Sequence, residues 1–217
     1  MQQPEPPVLT GVALGGHTRP FPGQVLCGDV LWWRVADTDA EAISGTGRST
    51  GQSVTLALID GLGHGPRAYA AASAVVAALE ARWSTAAGLE ALLRAVHGDV
   101  MGQPGGSITL ARYTGGRLEV TAVGNTVARV VGPRSSHNLL SPDGNLGALL
   151  PTPRVHRLDL PPGHALLCYS DGVKSQFDFE AVPGRHSASP AIVAQRVVEA
   201  HGKNHDDAST LLLRRAR

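Results

Sequence analysis

Residues 52–66 read QSVTLALIDGLGHGP, and the fold follows from how that run begins and breaks. From Gln52 to Ile59 the residues are mostly aliphatic or β-branched, which suits a buried central strand. The run stops abruptly at Asp60. Gly61, Leu62, Gly63, His64 and Gly65 follow, and Pro66 then opens a helix in the first turn, where its missing N–H does no harm. The helix predicted over residues 66–83 is alanine-rich, with Tyr69, Val76, Leu79 and Trp83 recurring at helical spacing. A strand therefore carries a carboxylate to its end and hands the chain through glycine to a helix.

Working outward, short strands are frequent. Residues 8–13 and 29–35 precede the central strand, and residues 107–113, 117–123 and 126–131 follow it. The Gly115-Gly116 pair marks a hairpin among them. Residues 155–160, 165–169 and 209–213 complete the set. Two more helices are expected. One covers residues 89–100, with Leu92, Leu93 and Val96 on one face; the other covers residues 191–200 and is announced by Ser189-Pro190. Residues 40–52 (AEAISGTGRSTGQ) are small and polar and read as a hairpin loop. Strands, two helices, several strands, one helix and one strand make an α+β chain, in which two packed sheets carry helices outside. Trp32 and Trp33 are adjacent, so one faces the core and the other outward, either under loop cover or toward a partner.

Four segments, the first included, share one design. Cys27-Gly28-Asp29, Asp60-Gly61, Ser170-Asp171-Gly172 and Asp206-Asp207-Ala208 each set an aspartate at a strand boundary. Any one Asp-Gly pair reads most simply as a turn. Repetition weakens that reading, because strands that end in acids bring their charges to one rim. Two like charges about 4 Å apart repel by about 4 kcal/mol at an effective dielectric near 20, so a cluster calls for a cation. All-oxygen ligands suit Mg²⁺ or Mn²⁺ rather than Zn²⁺. Cys27 and Cys168 form no C-x-x-C pair, and the histidines form no H-E-x-x-H. Two such ions about 3.5–4 Å apart can lower the pKa of a bridging water and aim it at phosphorus. No G-x-S-x-G elbow or P-loop offers another route, and Ser73 and Ser107 lack a flanking signature.

Composition narrows the alternatives. The chain has 217 residues, enough for one domain with a sizeable core, expected to span residues 1–217 with residues 1–7 a flexible tail. Apolar residues make up 42% and charged residues 17%, as in a globular protein. A net charge of +1 gives no electrostatic case for nucleic acid. Two cysteines make a disulfide framework improbable, and free thiols are expected. No apolar run approaches the length of a membrane span, and the proline-rich start lacks the features of a signal peptide. The expectation is a cytoplasmic protein without a membrane partner.

At these residues the sequence resembles a known family. CGD (27–29), IDGLGHG (59–65), AVGN (122–125), YSDG (169–172) and HDDAS (205–209), in this order, are similar to the metal-dependent PP2C-type protein phosphatases. The closer likeness is to the bacterial SpoIIE-like branch, which acts on regulators of alternative sigma factors. Within it, GVALGG (11–16) and DGLGHGPRAYAAASA (60–74) look like the compact stressosome phosphatases of the RsbX kind. The resemblance implies an α-β-β-α sandwich of two antiparallel sheets and two Mn²⁺ or Mg²⁺ ions at one end. By motif, Asp60 would bridge the ions and hold the attacking water, and the Gly61 carbonyl would help hold one. Asp171 and Asp206 would hold the other, with Asp207 second to Asp206, and Asp29 in the same cluster. Animal relatives carry a histidine two residues after the bridging aspartate, where this chain has Leu62. His64 lies two residues further on, either a proton donor or a loop residue. Asn125 either hydrogen-bonds at the rim or belongs to a turn. Asp143 is left out of the site. Arg19 and Arg34 are positional candidates for a phosphate-binding arginine.

The function implied is hydrolysis of phosphoserine or phosphothreonine on a signalling regulator, a phosphorylated STAS-domain or anti-sigma-antagonist protein. A pseudophosphatase that only binds such a partner is the alternative, and it would be favoured by a missing aspartate; none is missing. A hydrolase of small phosphoesters is a third reading.

Overall fold

The computed structural model describes residues 9–40, 49–133 and 135–217. Among these, the strands in chain order are β1 (Val12–Arg19), β2 (Asp29–Ala40), β3 (Ser49–Gly61), β4 (Gly106–Thr114) and β5 (Arg117–Val123). Then come β6 (Val127–Gly132), β7 (Ser135–Leu139), β8 (His156–Asp159), β9 (Ala165–Tyr169) and β10 (Ala208–Arg215). The helices are α1 (Gly65–Arg82), α2 (Leu89–Asp99) and α3 (Pro190–His201). One sheet has the order β1-β10-β9-β6-β7 and the other β2-β3-β4-β5-β8, both antiparallel throughout.

The central strand explains the layering. Along β3, Leu56 and Leu58 face the other sheet, joining Leu14, Trp33, Leu118, Leu166 and Leu211 in the sandwich core. The alternate residues Ala57 and Ile59 face outward under α1 and α2, with Trp32, Val75, Leu79, Leu92 and Val96. Both faces are apolar, so the strand reads as a continuous hydrophobic run. A third cluster, including Leu167, Tyr169, Val193, Val197 and Leu212, seals α3 to the opposite sheet. The result is the four-layer α-β-β-α sandwich. Both tryptophans are buried: Trp33 lies between the sheets, while Trp32 lies under α1 and donates its Nε1–H to Glu80, at 2.8 Å.

Local chemistry sets the helix ends. Ser189 caps α3 by accepting the amide of Ile192, with Pro190 in the first turn. α1 starts at a glycine with φ +70°, Gly65, without a side-chain cap from His64. Its buried stripe is Ala68, Ala71, Ala72, Val75, Ala78 and Leu79. Tyr69 and Val76, expected on that stripe, are only half-buried because small alanines let the helix lie closer to the sheet on a neighbouring face.

Three further expectations shift. The first strand begins at Val12 rather than residue 8 and runs on to Arg19, because β10 pairs with it through His17, Thr18 and Arg19 despite their polarity. β7, SSHNL, carries no apolar signal; it is an exposed edge paired only with β6. The loop read at residues 40–52 falls partly outside the described residues, and β3 already pairs with β2 from Ser49 to Gln52.

One buried cation organises the edge of the first sheet. Arg129, on β6, is 7% exposed and donates to Asn138 Oδ1 (2.8 Å), Tyr169 Oη (2.7 Å), the Ser175 carbonyl (2.8 Å) and the Phe177 carbonyl (3.2 Å). Its guanidinium also lies over the rings of Tyr169 and Phe177. The segment that leaves Asp171 is thereby tied down.

Candidate active site

The acids meet at one end of the sandwich. Asp29 opens β2 and Asp60 nearly closes β3, and the two stand directly opposite each other in the antiparallel register. From the other sheet, Asp171 follows β9, and Asp206 and Asp207 precede β10. Asp60, Asp171 and Asp206 line a cleft of about 370 Å³, together with Leu62, His64, Ser107, Asn125, Asn145 and His205. Asp29 and Asp207 are each 3% exposed and are buried behind those acids. Glycine permits this crowding. A Cβ on Gly28 would stand 2.7 Å from Asp207 Oδ2, and one on Gly172 would overlap the Asp207 carbonyl.

The polar partners are few. Asp207 Oδ1 accepts the Phe21 amide at 2.7 Å, and Asp206 Oδ1 accepts the Asp207 amide at 2.9 Å. Asn125 does both things its sequence allowed. It follows a turn at Gly124, φ +89°, and donates from Nδ2 to Asp171 Oδ2 at 2.6 Å. Yet Asp29 Oδ2 and Asp207 Oδ2 are buried with no hydrogen-bond partner. The electrostatic consequence is large. Burial first, and then the charges of Asp29, Asp171, Asp206 and Asp207, push Asp60 up to about 9. Burial likewise raises Asp29 to about 7 against the hydrogen bonds of Ser170 and Ser209, with Asp207 and Asp171 adding to the rise. Asp206 is raised by burial and by Asp171.

A hard cation fits this set. Orphaned buried carboxylate oxygens and acids with raised pKa are the marks of negative charge held without compensation. Among the described residues no group of three or more His, Cys, Asp or Glu is close enough, as the side chains stand, to hold a metal ion. An open rim suits Mg²⁺ and its relatives, which keep several waters and take only one or two carboxylates each.

Other candidates fall elsewhere. His64 borders the cleft with its ring stacked on Phe21, centroids 4.4 Å apart. Arg34 is not at the rim: it forms an ion pair with Glu80 of α1 and accompanies Trp32 there. Arg19 is tied to the Lys203 carbonyl. Among the described residues no arginine or lysine lines the cleft, while the charge of Lys203 acts on Asp206 from beside it. Asp143 sits on an exposed turn away from it. Both thiols are free, and burial raises both, Cys168 to about 12, so neither is a thiolate near neutral pH. Sequence reasoning set Ser107 aside and missed His205, Asn145 and Phe21 as lining or neighbours of the cleft. His205 stands in HDDAS beside Asp206, and Asn145 lies two residues after Asp143; Phe21 carried no signal.

Comparison places this architecture among known proteins. A chain solved in work on the bacterial stressosome, a modular system adapted to control secondary messenger signalling, superposes with TM-score 0.78. It is 24% identical and covers 94% of this chain and 99% of its own. RsbX in complex with magnesium gives TM-score 0.76 at 16% identity, over 98% of this chain and 99% of that one. The catalytic domain of the serine/threonine protein phosphatase PstP with two manganese ions gives 0.65 at 17% identity, over 95% and 100%. No curated protein sequence matches. The fold is that of the PP2C-type serine/threonine phosphatases, a class of metal-dependent hydrolases. The family model for stage II sporulation protein E matches residues 50–216, and the chain belongs to this SpoIIE family.

Proposed function

We propose that the chain hydrolyses phosphoserine or phosphothreonine on a partner protein, with two Mn²⁺ or Mg²⁺ ions held at the carboxylate rim. The observation that carries this is the pair of orphaned, buried oxygens on Asp29 and Asp207 behind Asp60, whose pKa is raised to about 9. Asp60 lines the same cleft as Asp171 and Asp206 of the other sheet, so it would contribute to holding both ions, with the Gly61 carbonyl beside it. Asp171 and Asp206 would hold the second position, with Asp207 behind Asp206 and Asp29 behind Asp60. When bound, the ions would supply a water of lowered pKa and neutralise phosphate charge. The chain's own residues do the rest. Asn125 orients the Asp171 carboxylate through its 2.6 Å hydrogen bond. His64 stands at the mouth, where a leaving serine or threonine oxygen would need a proton.

Likeness to a chain from stressosome work, and to RsbX, supports a phosphorylated STAS-domain or anti-sigma-antagonist protein as the partner, in the cytoplasm. No helix among the described residues is long and apolar enough to cross a membrane. The test is turnover of p-nitrophenyl phosphate with Mn²⁺, with excess chelator, and by Asp60→Asn with Mn²⁺. Activity only in the first is expected. Activity that survives chelation, or that Asp60→Asn retains in full, overturns the assignment.

A further inference from the structure

Ser107 lacks the flanking signature of a nucleophile, yet it stands in the row of residues that carries the acids. In the antiparallel register of the sheet that holds β3, Asp29 faces Asp60 and Asp60 faces Ser107. Ser107 lines the cleft with Asp60, Asp171 and Asn125. Its Oγ accepts the Asn125 backbone amide at 3.3 Å. Two residues along β4, on the same face, Thr109 donates its hydroxyl to the Thr126 hydroxyl at 3.0 Å, and both threonines are buried. β4 thus grips two consecutive residues of the β5–β6 turn, where the chain crosses from one sheet to the other.

That turn has little freedom of its own. Gly124 has φ +89°, and a Cβ there would stand 2.2 Å from Ser107 Oγ, so the backbone lies directly on the serine. The Gly124 amide donates to the Pro142 carbonyl (3.0 Å), and the Ser141 hydroxyl donates to the Gly124 carbonyl (2.8 Å). From this base the Asn125 side chain donates to Asp171 Oδ2, beside the other sheet, at 2.6 Å. A run of short contacts therefore joins the cross-strand neighbour of Asp60 to Asp171.

Resting on the reading of this cleft as a two-ion phosphatase site, we infer that Ser107 is a positioning residue: through the Asn125 backbone it sets where the Asp171 carboxylate stands relative to Asp60. Apolar packing between the sheets is non-directional, so it sets no fine spacing between carboxylates that belong to different sheets. Hydrogen bonds do, because they weaken steeply away from a narrow range of distance and angle. Metal ligands are oriented by such partners, and losing one typically costs about 10–100-fold in metal affinity or activity. Asn125 is the partner of Asp171, and Ser107 acts one step further out, on the backbone that carries Asn125. A hydroxyl set aside as a nucleophile is thereby part of the link between the two sets of acids.

Calorimetric titration with Mn²⁺ reads this spacing without substrate. Asn125→Ala should raise the Mn²⁺ dissociation constant about 10–100-fold. Ser107→Ala should raise it at least about fivefold, and by less than Asn125→Ala does. The two changes should not add: in the Asn125→Ala background, Ser107→Ala should shift the constant by less than about twofold. In chelator the thermal midpoint of Ser107→Ala should stay within about 4 °C of wild type, the size expected for one lost hydrogen bond. A purely structural anchor would lower that midpoint and leave the dissociation constant alone. The Asn125 side-chain amide resonance, recorded in chelator, should move on Ser107→Ala, and this arm needs neither metal nor turnover. An unchanged dissociation constant in Ser107→Ala, full additivity with Asn125→Ala, or an unmoved Asn125 resonance overturns the inference. Absence of Mn²⁺-dependent p-nitrophenyl phosphate turnover in wild type counts against the phosphatase reading, and the Asn125 resonance still decides the link.

Discussion

Replacing Asp60 with asparagine probes the carboxylate cluster without any substrate. Without metal, Asp60 titrates at about 9 instead of 3.8, because it is buried and faces four other aspartates. Asparagine is a fixed copy of the protonated acid. Between pH 3.8 and about 9 the folded wild type holds a proton that the unfolded chain has released, so its stability falls as pH rises. The contribution is fully present below the unfolded value and lost by the time the folded value is passed. Each pH unit inside that window removes about 1.4 kcal/mol. From about pH 6 to about pH 9 the ceiling is about 4 kcal/mol, and partial hydration at the cleft mouth lowers it toward about 1. The variant has no such proton to lose. At roughly 2–4 °C per kcal/mol for a chain of this size, wild type in chelator should fall at least about 2 °C further than Asp60→Asn over that pH range. Manganese should reverse the order. Wild type gains about 2.7 kcal/mol at about 100 times the dissociation constant, while the variant gains little. Thermal melts of both proteins at the two pH values, with chelator and with Mn²⁺, give the comparison. Parallel pH dependence in chelator, or equal rises with Mn²⁺, would refute the reasoning.

Three further outcomes are expected. Arg129→Met keeps the stem but strands two carbonyls, the Tyr169 hydroxyl and Asn138, so it should destabilise the fold by about 3 kcal/mol, read as a lower urea midpoint. His64→Ala should lower phosphatase turnover within about tenfold, since a fully effective general acid is typically worth about 10²–10⁴-fold; a thousandfold loss with metal binding intact would show that His64 is the proton donor. Cys168→Ser should keep its Mn²⁺-dependent turnover, because a thiol pushed up to about 12 is no nucleophile at neutral pH; loss of activity in a folded variant would point to cysteine chemistry instead.

Much of this molecule was legible in its sequence for reasons of burial. The middle of β3 and all of β9 are apolar on both faces, because sheets lie against helices outside and against each other inside, and such runs are hard to mistake. Strands whose pairing does not depend on apolar side chains were not legible. β7 is SSHNL at an exposed edge, and the end of β1 is polar because it is held by backbone bonds to β10. The acids were legible as a set since each stands where an apolar run stops. Their division of labour was not. Asp206 and Asp207 are adjacent, and only the entry into β10 decides that one lines the cleft while the other turns inward to the Phe21 amide. Arg34 looked available for phosphate because its partner Glu80 is 46 residues away in sequence and close only after α1 folds over β2.

The acids come from both sheets: Asp29 and Asp60 from one, Asp171, Asp206 and Asp207 from beside the strands of the other. Between the sheets lies an apolar core, which resists separation but has little directional grip against sliding or splaying at its ends. A cation shared by the two sets would act as a rivet through both layers, pinning them at this end and leaving the opposite end free to breathe. The ion would then govern the mechanics of the sandwich as well as its chemistry. Amide exchange should report it: with Mn²⁺, protection should rise at Asp29, Asp60 and the start of β10, and change little at the β4–β5 turn around Gly115. Uniform protection along the strands would mean that the metal stabilises the fold without joining its halves.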